Sequence, residues 1–406
     1  MAETQIGDNL ARLRVARDLS QEQLAEAAGV GVDTVARIEQ GKRKQSRPAT
    51  VRKLADALGV TVDALLGQLP APHSLDVDVV PLRRAINADA LIPGLDDLAD
   101  TREVLPLPEL ADSAHQAWRA YVDGRHAELL HALPLVLVDA RRVVRDTRDD
   151  DRAGGYRVLS TAYRLSAGIA GRMGLDDLAY TAARRAVEAA AEADTPEIER
   201  AVSLRYLAWT LVRQGLSEDA ERVATEAAAA IEPRMLDRDS ARAGVFGNLL
   251  FNAATAALNN GSTARADDLL AAAHAAAIRS SGDIATEAAI FGPRVAALQR
   301  VDLAVRSGDP EHALRLATTV PTTTGGDVPA FWEAGHRLYL AAAATDLRKD
   351  RQALGWLAEA RDLAPDWVRY QPLGKRVMRQ LVGRATRRRG PEFATLAAHY
   401  GVITED

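Results

Sequence analysis

The sequence predicts an all-α protein, and three observations lead to this class. Apolar residues make up 47% of the 406 positions, many of them alanine, whereas aromatic residues contribute only 4%. Alanine has the highest intrinsic helix propensity and suits closely packed helices. Apolar side chains recur at helical spacing, and β-branched alternating runs of strand length are absent. The length predicts two or three domains with sizeable cores.

Composition and motifs exclude several classes of protein. The chain has no cysteine, which excludes disulfides, thiolate metal sites and cysteine nucleophiles and fits a reducing compartment. Residues 1–9 lack the basic and apolar segments of a signal peptide, and apolar stretches such as 271–278 are too short to span a membrane. Motifs for phosphate binding, dinucleotide binding, metalloproteolysis and nucleophilic catalysis are absent. We therefore expect a cytoplasmic protein that is not an enzyme, does not bind a membrane and needs neither a cofactor nor a metal.

The first two predicted helices lie within residues 6–28. Apolar residues recur at helical spacing in the first of them, at Ile6, Leu10, Leu13 and Ala16. Ser20 is a typical N-cap for the second, which ends at Gly29 because a turn to positive φ is easiest at glycine. Leu24 and Ala25 are expected in the core.

A third short helix is predicted from Val32 to Gln40, ending at Gly41. Two short helices joined by a glycine turn of a few residues are typical of a helix-turn-helix motif. A fourth helix is predicted over 48–58, with proline in its first turn, and a fifth over 61–66.

A local basic stripe follows the third helix. Net charge is −5 for the whole chain, which argues against indiscriminate coating of nucleic acid. The stripe nevertheless contains one acid, Glu39, and seven basic residues: Arg37, Lys42, Arg43, Lys44, Arg47, Arg52 and Lys53. A confined basic patch on an acidic protein is typical of a DNA footprint, and a solvated charged loop is the alternative.

Residues 6–67 resemble the phage-repressor, or Xre-type, helix-turn-helix family. The resemblance lies in three strings, SQEQLAEAAGV from Ser20, TVARIEQGKR from Thr34 and KLADALGVTVDALL from Lys53. It covers about a sixth of the chain and all five predicted helices. The resemblance implies a five-helix domain whose third helix enters the DNA major groove.

The resemblance also implies roles for individual residues. Arg37 would pair with guanine, Asp33 would accept from a cytosine amine and Val32 would touch a thymine methyl group. Phosphate contact alone is the alternative for Arg37, and helix capping is the alternative for Asp33. Arg14 and Glu39 match positions that pair inside this fold. The complete set of expected DNA-binding residues is Gln21, Val32, Asp33, Thr34, Arg37, Lys42, Arg43, Lys44 and Arg47, of which Gln21 and the last four would bind phosphates.

The family binds two-fold sites as dimers. The resemblance therefore implies a homodimer on an inverted repeat in double-stranded DNA. Residues 1–69 are the expected DNA-binding domain. Residues 70–108 carry six prolines and many aspartates and are expected to form a linker, with a short helix over 79–90.

Residues 109–406 are expected to form an array of five or six helix pairs. Turns recur 41 to 50 residues apart, at Gly124, Gly174, Gly215, Gly261, Gly308 and around Lys349. Alanine stands five residues after four of these glycines, where the two helices of a pair would cross closely, at Ala179, Ala220, Ala266 and Ala313. Such a period predicts stacked helix pairs that each bury a face against their neighbours. The segments resemble tetratricopeptide repeats, most clearly over 204–233.

The two parts together resemble peptide-pheromone receptor regulators of Gram-positive bacteria, of the actinobacterial type suggested by 46 arginines against 5 lysines. That resemblance implies a peptide or small signal in the concave groove of the array. The residues expected to bind it are Arg164, Arg205, Trp209, Asn248, Asn252, Gln299, Arg306 and Tyr339.

Chemistry favours some of these groove residues over others. The asparagines at 248 and 252 share a helix face and can bind a peptide backbone, and the arginines at 164 and 205 can bind a carboxylate. Ordinary solvated residues are the alternative for each position. At the level of function, the alternatives are an array that binds a partner protein and a scaffold with a vestigial helix-turn-helix.

Overall fold

A computed structural model shows the chain as two compact units, Met1–Asp78 and Val79–Asp406. The residues it describes are 7, 10–11, 13–14, 19–41, 48–58, 78–89, 92, 94–95, 103–234, 239–279, 282–321, 328–384 and 390–402. Described residues are overwhelmingly helical, so the predicted all-α class is confirmed. None of the described helices is both long and apolar enough to cross a membrane.

The first unit contains α1 (Gln21–Ala27), α2 (Val32–Glu39) and α3 (Pro48–Leu58). Ser20 caps α1 as expected, because its hydroxyl accepts from the backbone of Gln23 at 3.1 Å while the Gln23 side chain accepts from the Ser20 backbone at 2.7 Å. Leu10, Leu24, Val35, Leu54 and Leu58 are fully buried in a common core. The predicted fifth helix, 61–66, lies outside the described residues.

The second unit begins with α4 (Val80–Asn87), which lies in the segment expected to be a linker and confirms the short helix expected there. This helix packs against the array rather than standing apart. Arg141 donates to the carbonyl of Ala85 at 2.9 Å, and Arg185 donates to the carbonyl of Ala88. The connector is therefore not extended throughout, and the boundaries at 69/70 and 108/109 stay predictions.

The array itself consists of successive helix pairs. The pairs are α5 (Leu107–Val122) with α6 (His126–Asp146), α7 (Asp149–Arg172) with α8 (Asp176–Ala190), α9 (Pro196–Arg213) with α10 (Ser217–Ala230), α11 (Ser240–Asn259) with α12 (Thr263–Arg279), α13 (Pro293–Arg306) with α14 (Pro310–Ala317), and α15 (Ala330–Asp346) with α16 (Asp350–Leu363). The chain continues with α17 (Pro365–Arg369), α18 (Pro372–Gly383) and α19 (Gly390–His399). The first helices of successive pairs contact one another. We call the layer that they form, α5, α7, α9, α11, α13 and α15, the inner layer of the array, and its surface the inner face.

Each pair turns at the position that the sequence predicted. Five of the turns have a glycine at φ between +74° and +81°, at Gly124, Gly174, Gly215, Gly261 and Gly308. The sixth places Arg348 at φ +59°, without a glycine. The alanines five residues after the glycines are completely buried, at Ala179, Ala220, Ala266 and Ala313, and Ala353 takes the same place after Arg348. Close helix crossing at these alanines is thus confirmed.

A β-hairpin between α12 and α13 was not predicted. Its strands are β1 (Ile284–Ala285) and β2 (Ile290–Phe291), paired antiparallel. The Phe291 ring is fully buried against α11 at Gly247, where an added Cβ would lie 2.0 Å from Cζ of that ring. Two-residue strands carry no recognisable alternation, so sequence periodicity does not reveal them.

The array curves until its ends meet. The rings of His126 in α6 and Tyr370 after α17 lie 5.2 Å apart, edge to face. The guanidinium of Arg172 in α7 lies 5.1 Å from the ring centroid of Phe331 in α15. His115 Nδ1 lies 2.7 Å from Glu287 Oε1 at the tip of the hairpin. The first helices of the array therefore contact its last helices and its hairpin.

Candidate DNA-binding helix and inner face of the array

Helix α2 presents two different faces. Val35 and Ile38 are buried in the core of the first unit, which fixes the orientation of the helix. Val32, Asp33 and Arg37 are exposed on the opposite side, while Thr34 is half-buried near the helix start. The helix therefore displays the residues expected to contact base edges and uses its apolar side as an anchor.

The carboxylate of Glu39, the last residue of α2, binds side chains from two preceding segments of the domain. Glu39 accepts from Arg14 Nε at 2.7 Å and Arg14 Nη2 at 3.1 Å, and from Gln21 Nε2 at 2.6 Å. The hydrogen bonds that Arg14 donates to Glu39 raise the pKa of Arg14 above its ordinary value. The expected pairing of Arg14 with Glu39 is confirmed. Because the amide of Gln21 is bound to Glu39, its phosphate contact stays a prediction.

Asp33 and Arg37 form an exposed ion pair on α2. Arg37 Nη2 lies 3.1 Å from Asp33 Oδ2, with the two side chains 65% and 87% exposed. Exposed ion pairs one helical turn apart are worth little, so DNA bases compete easily for either side chain. Helix capping, the alternative for Asp33, is not seen, since the N-cap residue is Gly31 and no side chain caps the helix.

The basic loop after α2 lies outside the described residues. Its four expected phosphate contacts, Lys42, Arg43, Lys44 and Arg47, stay predictions. Lys53 in α3 is described and exposed.

On the inner face of the array, Arg164 is almost completely buried. Its Nη1 donates to Glu199 Oε2 at 2.6 Å and its Nη2 to Thr161 Oγ1 at 2.6 Å. The arginine thus binds a carboxylate, as its chemistry suggested, but this carboxylate belongs to α9. Binding of a ligand by Arg164 stays a prediction, and in the structure the residue joins α7 to α9.

The three amide side chains expected to bind the ligand form hydrogen bonds with other groups of the protein. Asn248 Nδ2 donates to the carbonyl of Ile290 in β2 at 3.2 Å, and Gln299 Nε2 donates to Asn248 Oδ1 at 3.3 Å. Asn252 Nδ2 donates to the carbonyl of Arg205 at 2.9 Å. Asn248 and Gln299 are buried, and their hydrogen bonds connect α11 and α13 with the hairpin. Asn252 is half-buried, and its hydrogen bond connects α11 with α9. Binding of a ligand by Asn248, Asn252 and Gln299 stays a prediction.

Three of the remaining expected groove residues lie in two further groups. Arg306 pairs with the buried Asp302 and donates to the hydroxyl of Tyr339 at 2.6 Å. Burial raises the pKa of Asp302 and the pKa of Tyr339, whereas the charge of Asp302 raises that of Arg306. Trp209 lies over α7 at Gly171, where an added Cβ would be 2.4 Å from Cη2 of the indole.

The same layer holds three residues that sequence reasoning missed, Arg172, Tyr121 and Tyr206. The guanidinium of Arg172 lies 3.8 Å from the ring centroid of Tyr121, and that of Arg205 lies 4.3 Å from the ring centroid of Tyr206. Tyr121 lies over Gly168, where an added Cβ would be 2.6 Å from the tyrosine oxygen. Glycines spaced three apart on α7, at 168 and 171, are the only sequence signal for these close contacts.

Comparison with known proteins agrees with the geometry of the first unit. Residues 5–67 match the family model described as a helix-turn-helix domain. The rest of the chain has no part in this match.

Two regulators of Bacillus subtilis (strain 168) are similar to this domain. The HTH-type transcriptional repressor RghR is 43% identical over 60 residues, which are 15% of this chain and 44% of that protein. The uncharacterized HTH-type transcriptional regulator RghRB is also 43% identical over 60 residues, which are 43% of its length. The chain thus matches less than half the length of these relatives. Both are named as regulators rather than enzymes, as expected from the missing catalytic motifs.

Solved structures of two regulators superpose on most of the chain, but poorly. Bacillus thuringiensis PlcR, in complex with the peptide PapR7 and DNA, is 10% identical with a TM-score of 0.32, over 89% of this chain and 94% of that one. The apo competence regulator ComR from Streptococcus vestibularis is 13% identical with a TM-score of 0.31, over 84% and 99%. Superpositions at this level carry no weight for the function of this chain.

Proposed function

We propose that this chain is a transcriptional regulator that binds operator DNA through α2 and that a short peptide on the inner face of the array tunes this binding. The observation that carries the proposal is the outward face of α2, where Val32, Asp33 and Arg37 are exposed on a helix-turn-helix domain. The repressor among its relatives supports the same activity.

Base recognition and phosphate contact have separate residues in this proposal. Arg37 releases Asp33 and pairs with a guanine, which costs little because the pair is exposed. Val32 and Thr34 add contacts to neighbouring bases. Phosphates are bound by Gln21 and by the basic loop at Lys42, Arg43, Lys44 and Arg47. The chain acts in the cytoplasm as a homodimer on an inverted repeat.

Peptide binding is proposed for the partly exposed residues of the inner face. Arg205, Trp209, Asn252 and Tyr339 are half-buried there and Arg306 is exposed. Together they offer aromatic faces, an amide and cations. Each type suits a short peptide, which needs apolar contacts and partners for its backbone. The buried positions at 164, 248 and 299 act in this proposal by holding the inner face in shape.

A DNA titration tests the first half of the proposal. Fluorescence anisotropy measures the full chain binding to its own upstream DNA and to a scrambled duplex, at low and moderate salt. We expect Arg37→Ala to weaken specific binding by about 1–3 kcal/mol, the worth of one bidentate base contact, with little change on the scrambled duplex. Arg222→Ala, an exposed arginine of α10, is the control and should bind as the native chain does. Native specificity in the Arg37 variant would show that this helix does not read the operator through Arg37.

A further inference from the structure

Two arginines on the inner face of the array have no carboxylate partner among the described residues. Arg172 lies at the end of α7, and Arg205 lies in α9, the next helix of the same layer. Three other arginines on the first helices are paired with an acid: Arg164 with Glu199, Arg213 with Asp176 and Arg306 with Asp302. Unlike these three, Arg172 and Arg205 carry guanidinium groups that no carboxylate of the described residues neutralises.

The two arginines belong to one cluster with two tyrosines. Arg172 lies over the ring of Tyr121 at 3.8 Å, and Arg205 lies over the ring of Tyr206 at 4.3 Å. Tyr206 and Arg205 both lie near enough to Tyr121 to influence its pKa, which joins the two arginine–tyrosine pairs. Burial raises the pKa of Tyr121 to about 12, against the opposing effect of the positive charge of Arg172. Tyr121 is therefore neutral at physiological pH and does not balance the charge of either arginine.

Hydrogen bonding inside the cluster is incomplete. Arg205 Nε is fully buried and has no hydrogen-bond partner. Arg172 Nη1 makes one long bond, to the carbonyl of Tyr121 at 3.3 Å. A partly desolvated guanidinium with unused donors is costly, and a carboxylate that accepts two parallel hydrogen bonds removes that cost. The tyrosine rings lie beneath the guanidinium groups, and the in-plane N–H donors of an arginine are still able to bind an anion in that position.

We infer that Arg172 and Arg205 together bind a carboxylate of the ligand, with Tyr121 and Tyr206 as a neutral aromatic floor. This inference rests on the peptide-tuned function proposed above and names the chemistry that the peptide brings. The C-terminus and an acidic side chain present the same carboxylate, so experiment must distinguish these two sources. Arg172 also touches Phe331 across the array, so an anion bound here would lie where the first and last pairs meet.

Two synthetic pools of randomised heptapeptides test the inference, one with free C-terminal carboxylates and one with amidated C-termini. Each pool is passed over the immobilised full chain, and mass spectrometry identifies the retained peptides. We expect Arg172→Gln and Arg205→Gln to retain about tenfold less peptide than the native chain, because each loses a charge-assisted hydrogen bond. Arg119→Gln, an exposed arginine of α5, is the matched control and should retain peptides at the native level. Circular dichroism of every variant verifies the helical fold.

Retention from the free pool alone identifies the C-terminal carboxylate as the bound group. Retention from both pools, with enrichment of aspartate or glutamate, identifies an acidic side chain. If both arginine variants retain the same peptides at the native level, the anion site is wrong although the proposed peptide binding stands. If the native chain retains no peptide from either pool, the proposed peptide binding is wrong as well.

Discussion

Single side chains decide the geometry of the DNA-binding domain. Glu39 is the common acceptor for Arg14 and Gln21 and is only 7% exposed. A neutral amide at this position would lose the ion pair and set its NH2 group against two donors. We expect Glu39→Gln to destabilise the domain by about 1–3 kcal/mol. Hydrogen exchange measured by mass spectrometry over residues 19–41 checks this, with Asp33→Asn on the exposed pair as a control that should leave protection unchanged. Equal protection in both variants would contradict a structural role for Glu39.

One residue also makes the last turn of the array different from the others. Arg348 adopts φ +59°, where the five preceding turns have glycine. A side chain in this left-handed region costs about 1–2 kcal/mol, which glycine would avoid. The larger conformational entropy of glycine in the unfolded chain cancels part of that gain. We expect Arg348→Gly to stabilise the array by about 0.5 kcal/mol, measured as a higher urea midpoint. Lys349→Gly, next in the chain at φ −91°, should lower the midpoint instead. Two shifts of the same sign would show that φ is not the cause.

At the scale of elements, the helices could be predicted because their signals are local. The capping box at Ser20 and the repeating glycine turns lie within a few residues of the structure that they specify. The hairpin could not be predicted, because the residues of α11 that it packs against lie about 40 positions away in the sequence. The groove amides illustrate the same limit, since helical periodicity placed Asn248 on the inner layer but could not show that Ile290 would be its partner. The basic stripe predicted a DNA-facing surface from composition alone, and only its ends, in α2 and α3, can be compared with the structure.

The hairpin packs so closely on α11 that Gly247 has no room for a side chain. A methyl group at Gly247 would lie 2.0 Å from the Phe291 ring, and neither the ring nor the helix has space to move, since both are buried. We expect Gly247→Ala to displace the hairpin and destabilise the array by about 1–3 kcal/mol. Limited proteolysis should then cleave near residues 284–291. Gly355→Ala on the exposed face of α16, where an added Cβ meets nothing within 4 Å, should be neutral or stabilise by up to about 1 kcal/mol. If the hairpin of the Gly247 variant resisted proteolysis as the native one does, the close contact between Gly247 and the Phe291 ring would be wrong.

For the whole molecule, the closed array has an acid-sensitive contact where its ends meet. His126 is 4% exposed, has no hydrogen-bond partner on either ring nitrogen and packs edge to face on Tyr370. Burial, followed by the nearby charge of Arg172, lowers the pKa of His126 to about 3, and burial lowers the pKa of His336 to about 4. Both histidines stay neutral in the folded chain as pH falls below 6.5, whereas the same side chains take up protons once unfolded.

The sign of the pH dependence follows from these two groups. Because the unfolded chain binds more protons, the free energy of unfolding decreases as pH falls from about 6.5 toward 4, by up to about 1.4 kcal/mol per pH unit for each histidine. His126→Phe keeps an aromatic ring against Tyr370 and removes one titrating group. We therefore expect this variant to lose stability less steeply than the native chain between pH 6.5 and 4.5, in urea unfolding followed by circular dichroism. His131→Phe on the exposed side of α6 should keep the native slope. If the His126 variant also kept the native slope, His126 would be protonated within the folded array, and the contact between the array's ends would have to accommodate a charged ring.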